Sequence, residues 1–307
     1  MACTIKPAEI KRVKAFGFLH NKDTDMFNGR VITRNGKITA QQAKVIAEAA
    51  ETYGSGEVEF TTRLSIEVRG IHFDNIEPFR EYIAKAGLKT GGTGAKVRPV
   101  VSCKGTTCQY GLYDTFSLSE KIHERFYEGY NSVALPHKFK IATGGCPNNC
   151  VKPSLNDLGV VGKMIPVLND ELCKKCKKCQ VEAGCPMHAA VMEDGNVTID
   201  EETCIKCGRC VRGCLFKAMN GTPGYEVYVG GRWGKKFAHG IPLSKIFTSE
   251  EEVLGTIEAA ILLFREQGQA GERFSDTIER IGFEKVEEEL ISKQILNRKE
   301  EILAEYM

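Results

Sequence analysis

Eight cysteines between residues 173 and 214 constrain the fold of this chain more than any other feature. They form two runs, each with three cysteines two residues apart and a fourth further on: Cys173, Cys176, Cys179 and Cys185, then Cys204, Cys207, Cys210 and Cys214. Such runs are typical of bacterial ferredoxins with two 4Fe–4S clusters, in which the fourth cysteine of each run ligates the other cluster. We therefore assign Cys214 to the first three cysteines and Cys185 to the second three. Zinc, which favours C-x2-C pairs, is the alternative, but two triple runs do not suit it.

Four more cysteines form two tight pairs upstream, Cys103 with Cys108 and Cys146 with Cys150. The second pair lies on the turn Gly-Gly-Cys-Pro-Asn-Asn-Cys, where glycine and proline permit a sharp reversal. Both thiolates of that turn can therefore point at one object, and two such pairs predict a third iron–sulfur site. The remaining cysteine, Cys3, is interpreted as a surface thiol.

Two lysines, Lys138 and Lys140, precede the second cysteine pair. If residues 138–143 form a strand, alternate side chains share a face, so both lysines point the same way. Paired cations beside a cluster indicate a redox centre that binds an anion.

Composition and charge limit the remaining possibilities. The 307 residues carry a net charge of +2, which favours neither nucleic acid nor a membrane surface. No apolar run approaches the roughly 20 residues that span a bilayer, and the N-terminus lacks an apolar signal core. We therefore expect a cytoplasmic protein whose cysteines bind metal rather than form disulfides. The six histidines are scattered and receive no role.

Residues 26–102 show alternating strand and helix patterns. The predicted elements are strands at 26–38, 57–61, 64–71 and 97–102, and helices at 39–53 and 74–86. Their order predicts a split ferredoxin-like α/β unit. Beyond it we predict a helix at 114–129, strands at 138–143, 158–164 and 225–229, a helix that begins after Thr248, and a charged helix at 284–304. That last helix is interpreted as a solvated face or a partner helix.

Several of these motifs together resemble the siroheme-dependent sulfite and nitrite reductases. That family carries C-x5-C and C-x3-C pairs, the latter in a GCPNxC turn, and the motifs K-x-K, TTR, NDLG and VYVGG. The last four read here as Lys138–Lys140, Thr61–Arg63, Asn156–Gly159 and Val227–Gly231. The resemblance covers about residues 26–265, and within the family the chain most resembles the anaerobic sulfite reductase group. One departure is that four residues, not five, separate Cys103 from Cys108.

The resemblance implies an α+β fold built from three kinds of domain. A ferredoxin-like domain occupies residues 1–87. A siroheme-binding α/β domain, which carries the 4Fe–4S site, occupies residues 88–165 and resumes at 221–307 with the C-terminal helices. A ferredoxin domain with two 4Fe–4S clusters is inserted at residues 166–220.

The cofactors implied by the resemblance are siroheme and three 4Fe–4S clusters. By motif position Cys150 supplies the sulfur shared between the haem iron and its cluster. Siroheme carries many carboxylates, so its pocket requires cations and backbone donors. The candidates are Arg69, Arg98, Lys104, Asn149 and Arg232, with the loop at residues 91–94.

The activity implied is the six-electron reduction of sulfite to sulfide. Lys138, Lys140 and Arg63 then bind substrate and deliver protons, because lysine serves as both cation and proton donor. A further arginine of the family, in an R-x-R-x-P-G-G stretch, is not cleanly present. Arg30 and Arg34 are both candidates for that position.

The electrons must come from outside, because no dinucleotide fingerprint is present. Basic residues lie in both cysteine runs, and they either compensate the anionic clusters or dock an acidic donor, such as a ferredoxin or a partner subunit. They are Lys174, Lys175, Lys177 and Lys178 in the first run and Lys206, Arg209 and Arg212 in the second. One set of motifs per chain predicts a homodimer with shared sites. Reduction of nitrite to ammonia is the alternative activity, although that branch often replaces the second lysine, here Lys140, by asparagine. A non-catalytic electron-transfer protein is the alternative from another class.

Overall fold

The structure, a computed structural model, describes residues 3–193 and 195–304 and divides the chain into two units. The first unit contains the residues up to 101, residues 119–141 and those from 258 onwards. The second contains residues 102–118 and 142–257. The chain thus passes between the units several times, and the C-terminal helices group with the ferredoxin-like part rather than with residues 221–257.

The described residues contain eleven strands and ten α-helices. The strands are β1 (Phe18–His20), β2 (Met26–Val31), β3 (Val58–Phe60), β4 (Ile66–His72), β5 (Val101–Ser102), β6 (Ile141–Gly144), β7 (Leu158–Leu168), β8 (Ala190–Glu193), β9 (Asn196–Ile199), β10 (Met219–Val229) and β11 (Ile241–Phe247). The helices are α1 (Pro7–Ala15), α2 (Ala40–Tyr53), α3 (Ile76–Ala84), α4 (Thr115–Ile122), α5 (Gln180–Ala183), α6 (Arg209–Gly213), α7 (Glu250–Gln267), α8 (Phe274–Ile281), α9 (Phe283–Ser292) and α10 (Lys299–Ala304).

The first unit is built on an antiparallel sheet with strand order β1-β2-β4-β3. Helices α2 and α3 contact each other, and their buried side chains join those of the strands in one core. Helix α2 begins and ends where the sequence predicts. Thr39 and Gln42 form a capping box, and Gly54 follows the last turn.

The predicted membership of this sheet was wrong for one strand. The segment at 97–102 contributes only β5, which lies in the other sheet, and β1 takes the fourth place in the first sheet. Pro99 has no N–H to donate, so a regular ladder cannot run through it. Strand β1 is three residues long, too short to show a pattern, and Gly17 permits the turn into it with a φ of +98°.

A five-stranded sheet with order β11-β10-β7-β6-β5 forms the centre of the second unit. Strands β7 and β10 pair over their whole length, from Leu158 opposite Val229 to Leu168 opposite Met219. The segment between the two strands carries both cysteine runs, the β8–β9 hairpin, α5 and α6. This segment, which we term the insert, is therefore an extension of one long antiparallel ladder.

The C-terminal segment differs from its prediction. The single helix predicted at 284–304 is broken at Lys293, which adopts a φ of +59° between α9 and a short 3-10 turn. Its apolar side is buried rather than free for a partner: Val286, Leu290, Ile295 and Ile302 are at most 2% exposed. The charged side is exposed at Glu284, Lys285 and Glu288, which agrees with the interpretation as a solvated face, whereas the prediction of one continuous helix was wrong. Among the described residues, no helix has the length and apolar character needed to cross a membrane.

Candidate metal centres and cationic site

The four upstream cysteines approach one another in the second unit. Burial raises the pKa of the Cys146 thiol above its ordinary value, and the nearby thiols of Cys103, Cys108 and Cys150 raise it further. The backbone N–H of Gly145 donates to Cys103 Sγ over 3.1 Å. Cys150 is exposed, whereas the other three are half-buried. The set can therefore hold a cluster on three sheltered sulfurs and present the fourth outward.

Close backbone packing around Gly145 explains the glycines of this turn. A Cβ on Gly145 would lie 2.9 Å from the Cα of Gly105, on the loop that carries the first cysteine pair. A Cβ on Gly162 of β7 would lie 2.5 Å from the carbonyl oxygen of Gly145. Side chains at these positions would separate the two loops, so glycine is required for the cysteine pairs to meet.

The NDLG and VYVGG motifs support the turn that carries Cys150. Asn156 is nearly buried and donates from Nδ2 to the Lys152 carbonyl over 3.1 Å, two residues after Cys150. The N–H of Gly230 donates to the carbonyl of Asp157 over 2.9 Å. A Cβ on Gly231 would lie 2.2 Å from the carbonyl oxygen of Ser154. Both motifs thus fix the cysteine turn through backbone contacts.

In the insert, Cys185 lies with the second cysteine run. It lines a cavity of about 20 Å³ together with Cys204, Cys207 and Cys210. Burial opposes ionisation of Cys185, but backbone N–H groups of residues 187–190 directed at its sulfur lower its pKa below the ordinary value.

Cys214 lies at the other end of the insert. Helices α5 and α6 contact each other, with Cys179 directly before α5 and Cys214 directly after α6. A Cβ on Gly213 would lie 3.6 Å from the carbonyl oxygen of Gln180. These contacts bring Cys214 towards Cys179 of the first run, and the crossed ligation of the two clusters stays a prediction. Within the described residues, no three His, Cys, Asp or Glu side chains are close enough to share a single metal ion.

The two lysines of the K-x-K motif lie in the first unit. Phe139 between them is fully buried against Phe264 and Phe274, while Lys138 and Lys140 are both half-buried. The regular strand β6 begins only at Ile141, after both lysines, and Phe139 forms an isolated parallel bridge with Val97. The burial of the side chains nevertheless alternates as predicted for a strand, because Phe139 is buried in the core and the lysines on either side of it are only half-buried.

Arg63 contacts the same segment through its backbone. Its guanidinium donates to the carbonyl of Pro99 over 2.6 Å and to the carbonyl of Ile141 over 3.1 Å. The TTR turn is itself closed by a 2.7 Å hydrogen bond between the hydroxyls of Thr61 and Ser65. Arg63 therefore fixes the residue that follows Lys140.

Arg30 and Arg98 meet at one carbonyl oxygen. Both guanidinium groups donate to the carbonyl of Gly92, Arg30 over 3.0 Å. Arg30 also forms an ion pair of 2.5 Å with Glu67, and both side chains are largely buried. The loop at residues 91–94, predicted as an amide-lined anion site, thus contributes a carbonyl acceptor to these arginines. Glu67 was missed in the sequence, although its place among buried residues of β4 marks it as paired.

The remaining candidates are exposed or engaged elsewhere. Arg34 is 44% exposed and forms ion pairs with three glutamates of one helical segment, Glu120, Glu124 and Glu128. Arg69 pairs with Glu57 and Glu59 at the surface. Lys104 and Asn149 are exposed, Asn149 with a φ of +52°, and Arg232 is half-buried in the β10–β11 loop. Of these, Lys104, Asn149 and Arg232 lie in the same unit as the four upstream cysteines.

A cavity of about 650 Å³ lies within the first unit, beside the loop at residues 91–93. Lys37, Lys89 and Lys96 line it, but Lys89 pairs with Glu128 and Lys96 donates to the carbonyl of Asn131. The positive charge of these lysines is therefore largely balanced by a carboxylate and a carbonyl of the same unit.

Two family profiles match the chain. The profile described as the nitrite and sulphite reductase 4Fe-4S domain matches residues 93–299, and the one described as the nitrite/sulfite reductase ferredoxin-like half domain matches residues 20–86. An uncharacterised protein of Methanocaldococcus jannaschii is 32% identical over 270 residues, which cover 88% of this chain and 92% of that one. The C component of the anaerobic sulfite reductase of Salmonella typhimurium is 29% identical over 226 residues, 66% of this chain and 63% of that protein.

A solved structure has the same fold. The crystal structure of a dissimilatory sulfite reductase I superimposes with a TM-score of 0.69 at 23% identity, covering 86% of this chain and 69% of that one.

Proposed function

Because the chain belongs to the nitrite and sulphite reductase family, we propose that it is a sulfite reductase that uses siroheme. Sulfite is converted to sulfide and three waters by six electrons and the protons that accompany them. The observation that carries the proposal is that Lys138 and Lys140 are both half-buried, on a backbone segment fixed by the hydrogen bond from Arg63 to the Ile141 carbonyl. The same chain brings four thiols close together. The relative from the anaerobic sulfite reductase of Salmonella typhimurium supports sulfite as the substrate.

The donor set of the four upstream cysteines fits a 4Fe–4S cluster. Their thiols are close to one another, a backbone N–H points at Cys103 Sγ, and Gly145 leaves no room for a side chain beside them. Cys150 has the exposed sulfur that a bridge to a second metal requires. Siroheme, when bound, would supply redox chemistry for the reduction of sulfite, and Cys150 is the residue that would hold it next to the cluster.

The chain's own residues manage charge and protons. Half-burial places the ammonium groups of Lys138 and Lys140 in a medium less polar than water, which strengthens their attraction to a compact oxyanion. Each also carries protons that the leaving oxygens of sulfite require. Arg63 donates to the carbonyl after Lys140 and is therefore a positioning residue in this proposal. Arg30 and Arg98, held by Glu67 and the Gly92 carbonyl, supply further positive charge in the same unit.

The eight cysteines of the insert are proposed to hold two more 4Fe–4S clusters, which take electrons from an external one-electron donor. The proposal includes the homodimer expected from the sequence. It also assigns the binding of the siroheme carboxylates to Lys104, Asn149 and Arg232, which lie in the unit that carries Cys150.

Anaerobic purification followed by an optical spectrum and iron analysis tests the cofactors. We expect siroheme absorption bands and iron equivalent to three 4Fe–4S clusters plus one haem iron per chain. Turnover is then measured with a chemically reduced dye and either sulfite or nitrite. A higher kcat/KM for nitrite would transfer the proposal to nitrite reduction, and a loaded protein that reduces neither would make the chain an electron carrier.

A further inference from the structure

The two cysteine runs of the insert differ in exposure. In the first run the four residues between the ligands, Lys174, Lys175, Lys177 and Lys178, are all exposed. In the second run Ile205 and Lys206 are half-buried and Gly208 is buried, and only Arg209 is exposed. Two clusters held by these runs would therefore differ in their access to solvent and to the rest of the unit.

The second run is packed against strand β7. The N–H of Met164 donates to the carbonyl of Lys206 over 2.8 Å, and Met164 forms a parallel bridge with Cys207. Buried Lys163 donates from Nζ to the carbonyl of Ile205 over 3.3 Å and forms an ion pair of 2.9 Å with Glu226. The peptide groups around Cys207 are thus fixed to the sheet on both sides of the ligand.

A short path of neighbouring groups leads from this run to the four upstream cysteines. A Cβ on Gly208 would lie 3.4 Å from Cδ2 of Leu112, so the Leu112 side chain lies beside the backbone that follows Cys207. The N–H of Leu112 donates to the carbonyl of Gly145 over 2.9 Å. The N–H of Gly145 in turn donates to Cys103 Sγ over 3.1 Å.

Exposed apolar and basic side chains adjoin, along the chain, the four cysteines assigned to the first cluster. Leu172 directly before Cys173 is 45% exposed, and Leu215 and Phe216 directly after Cys214 are 79% and 50% exposed. Together with the four lysines of the first run they form what we term the acceptor face. Cationic side chains around an apolar centre suit an acidic protein partner, because charge steers the encounter and apolar contact stabilises it.

From these contacts we propose that electrons cross the insert in a fixed order. They are accepted at the cluster of Cys173, Cys176, Cys179 and Cys214 from an acidic iron–sulfur protein. They leave from the cluster of Cys185, Cys204, Cys207 and Cys210 through Gly208, Leu112 and Gly145. This inference rests on the proposed function, since it requires the three clusters proposed there.

Each transfer moves one electron. The reduced donor protein loses it, the first-run cluster gains it and passes it to the second-run cluster, and the cluster of the upstream cysteines gains it last. No bond is formed or broken in these steps. Leu112 is a positioning residue in this scheme, because electron transfer slows steeply when a contact along the route is replaced by a gap.

The exit route is tested by rapid freeze-quench electron paramagnetic resonance on the loaded protein mixed with a reduced ferredoxin. The signals are assigned with Cys176→Ser and Cys204→Ser, each of which alters one insert cluster. We expect Leu112→Ala to leave reduction of both insert clusters at the wild-type rate and to slow reduction of the upstream cluster at least tenfold. Leu112→Met, which restores an apolar side chain of similar size, should recover most of the rate. Ile241→Ala, which shortens an exposed apolar side chain of β11 outside the acceptor face, should leave this internal step unchanged.

Wild-type kinetics provide a measurement that does not depend on any variant's folding. The first-run signal should appear before the second-run signal, and the upstream cluster should follow both. An upstream cluster reduced at the wild-type rate in Leu112→Ala, or reduced before the second-run cluster in the wild type, would overturn the proposed order. Absence of the upstream cluster or of siroheme from the wild-type protein would instead refute the proposed function.

The acceptor face is tested by charge removal. Replacing its four lysines by glutamine should lower the second-order rate of reduction by ferredoxin at least tenfold at low salt, with little difference at 1 M salt, where the Debye length is only ~3 Å. Lys235→Gln with Lys236→Gln, exposed lysines of the β10–β11 loop in the same unit, is the control, and it is matched against Lys174→Gln with Lys175→Gln, which removes the same number of charges. Equal losses in both variants would show that net charge, rather than the acceptor face, governs the encounter.

Discussion

The orientation of Lys140 is determined by the residues on either side of it. Phe139 is inserted between two other phenylalanines of the core, so the residues on either side of it must turn away from the core. The hydrogen bond from Arg63 to the carbonyl of Ile141 fixes the backbone directly after Lys140. The ammonium group is therefore carried by a backbone that cannot shift to accommodate a shorter side chain.

We expect Lys140→Asn to lower the kcat/KM for sulfite at least tenfold and to affect nitrite much less. The loss follows because removing a partly buried cation from an anion costs ~2–5 kcal/mol. Steady-state rates with a reduced dye measure both substrates on one preparation. Lys89→Asn, which alters a lysine 78% exposed in the same unit, is the control. Small and equal effects on the two substrates would place Lys140 away from the reacting anion.

Cys150 is the exposed member of its group, so its replacement tests the bridge without removing a buried sulfur. In Cys150→Ala we expect the siroheme bands to shift or disappear and turnover to fall to background, with the iron of the insert retained. Optical spectra and iron analysis are compared with those of Cys3→Ala, which removes the cysteine outside all four ligand patterns. Full activity in Cys150→Ala would exclude this residue as the shared ligand.

At the residue level, the sequence was informative where chemistry demands a particular side chain. Cysteine spacing predicted which thiols would be neighbours, because metal ligands cannot be substituted freely. The sequence did not predict that Arg30 pairs with Glu67, or that Arg30 and Arg98 donate to the Gly92 carbonyl. Such partners are distant in the chain, and many different carboxylates or carbonyls could accept these hydrogen bonds. The arginines were therefore predicted as free to bind anions, whereas each already has an internal acceptor.

Among the helices and strands, prediction succeeded where local signals decide the conformation. Helix α2 follows its capping box and terminal glycine. The strands predicted at 158–164 and 225–229 are present, but β7 continues to Leu168 and β10 begins at Met219, because the two strands pair beyond the predicted bounds. Prediction failed at β1 and at the break in the C-terminal segment. There, long-range packing stabilises conformations that a few residues do not specify, including the positive φ of Lys293.

The stability of helix α8 depends on pH through Glu272, which lies just before the helix and contacts two of its residues. Arg280 donates to Glu272 through two nitrogens over 2.9 Å, and Thr277 donates to it over 3.0 Å. The Arg280 guanidinium is the main cause that holds the pKa of Glu272 at about 2, below its ordinary value near 4.5. A carboxylate with a lowered pKa stabilises the folded state above the unfolded-state pKa, and this contribution is lost as the pH falls from about 4.5 to about 2.

We therefore expect the unfolding midpoint of the wild type to fall more steeply than that of Glu272→Gln as the pH is lowered through this range. Near neutral pH the variant should be the less stable of the two. Thermal unfolding at several pH values gives the comparison, and Glu279→Gln, an exposed carboxylate on the same helix, is the control. Parallel curves for wild type and Glu272→Gln would contradict the assigned role.

For the whole molecule, the division into units was the least predictable feature. Domain boundaries drawn along the sequence group neighbouring residues, whereas this chain leaves and re-enters each unit. As a result Lys138 and Lys140 belong to the first unit, while Cys146, only six residues after Lys140, belongs to the second. The two parts of the proposed active site are thus carried by separate units, each present once per chain.

We expect those parts to be combined between two chains, as in the two-repeat reductases that the sequence resembles, where one half carries the haem and the other the lysines. Mixing a Cys150→Ala chain with a Lys140→Ala chain should then restore activity, since a mixed dimer contains one complete site. Exchange between dimers is verified by native mass spectrometry, and each variant alone provides the baseline. Mixed dimers as impaired as their parents would show that the lysines serve the haem of their own chain.

The long ladder between β7 and β10 has a consequence for how such a protein can diversify. Leu168 and Met219 face each other at its end, so the inserted segment starts and finishes at adjacent points. A segment with adjacent ends can be exchanged for another, or for a tight turn, without altering the path of the surrounding chain. Under the proposed function this segment is where electrons enter, so the source of electrons can change by exchange of the segment while the surrounding fold is retained.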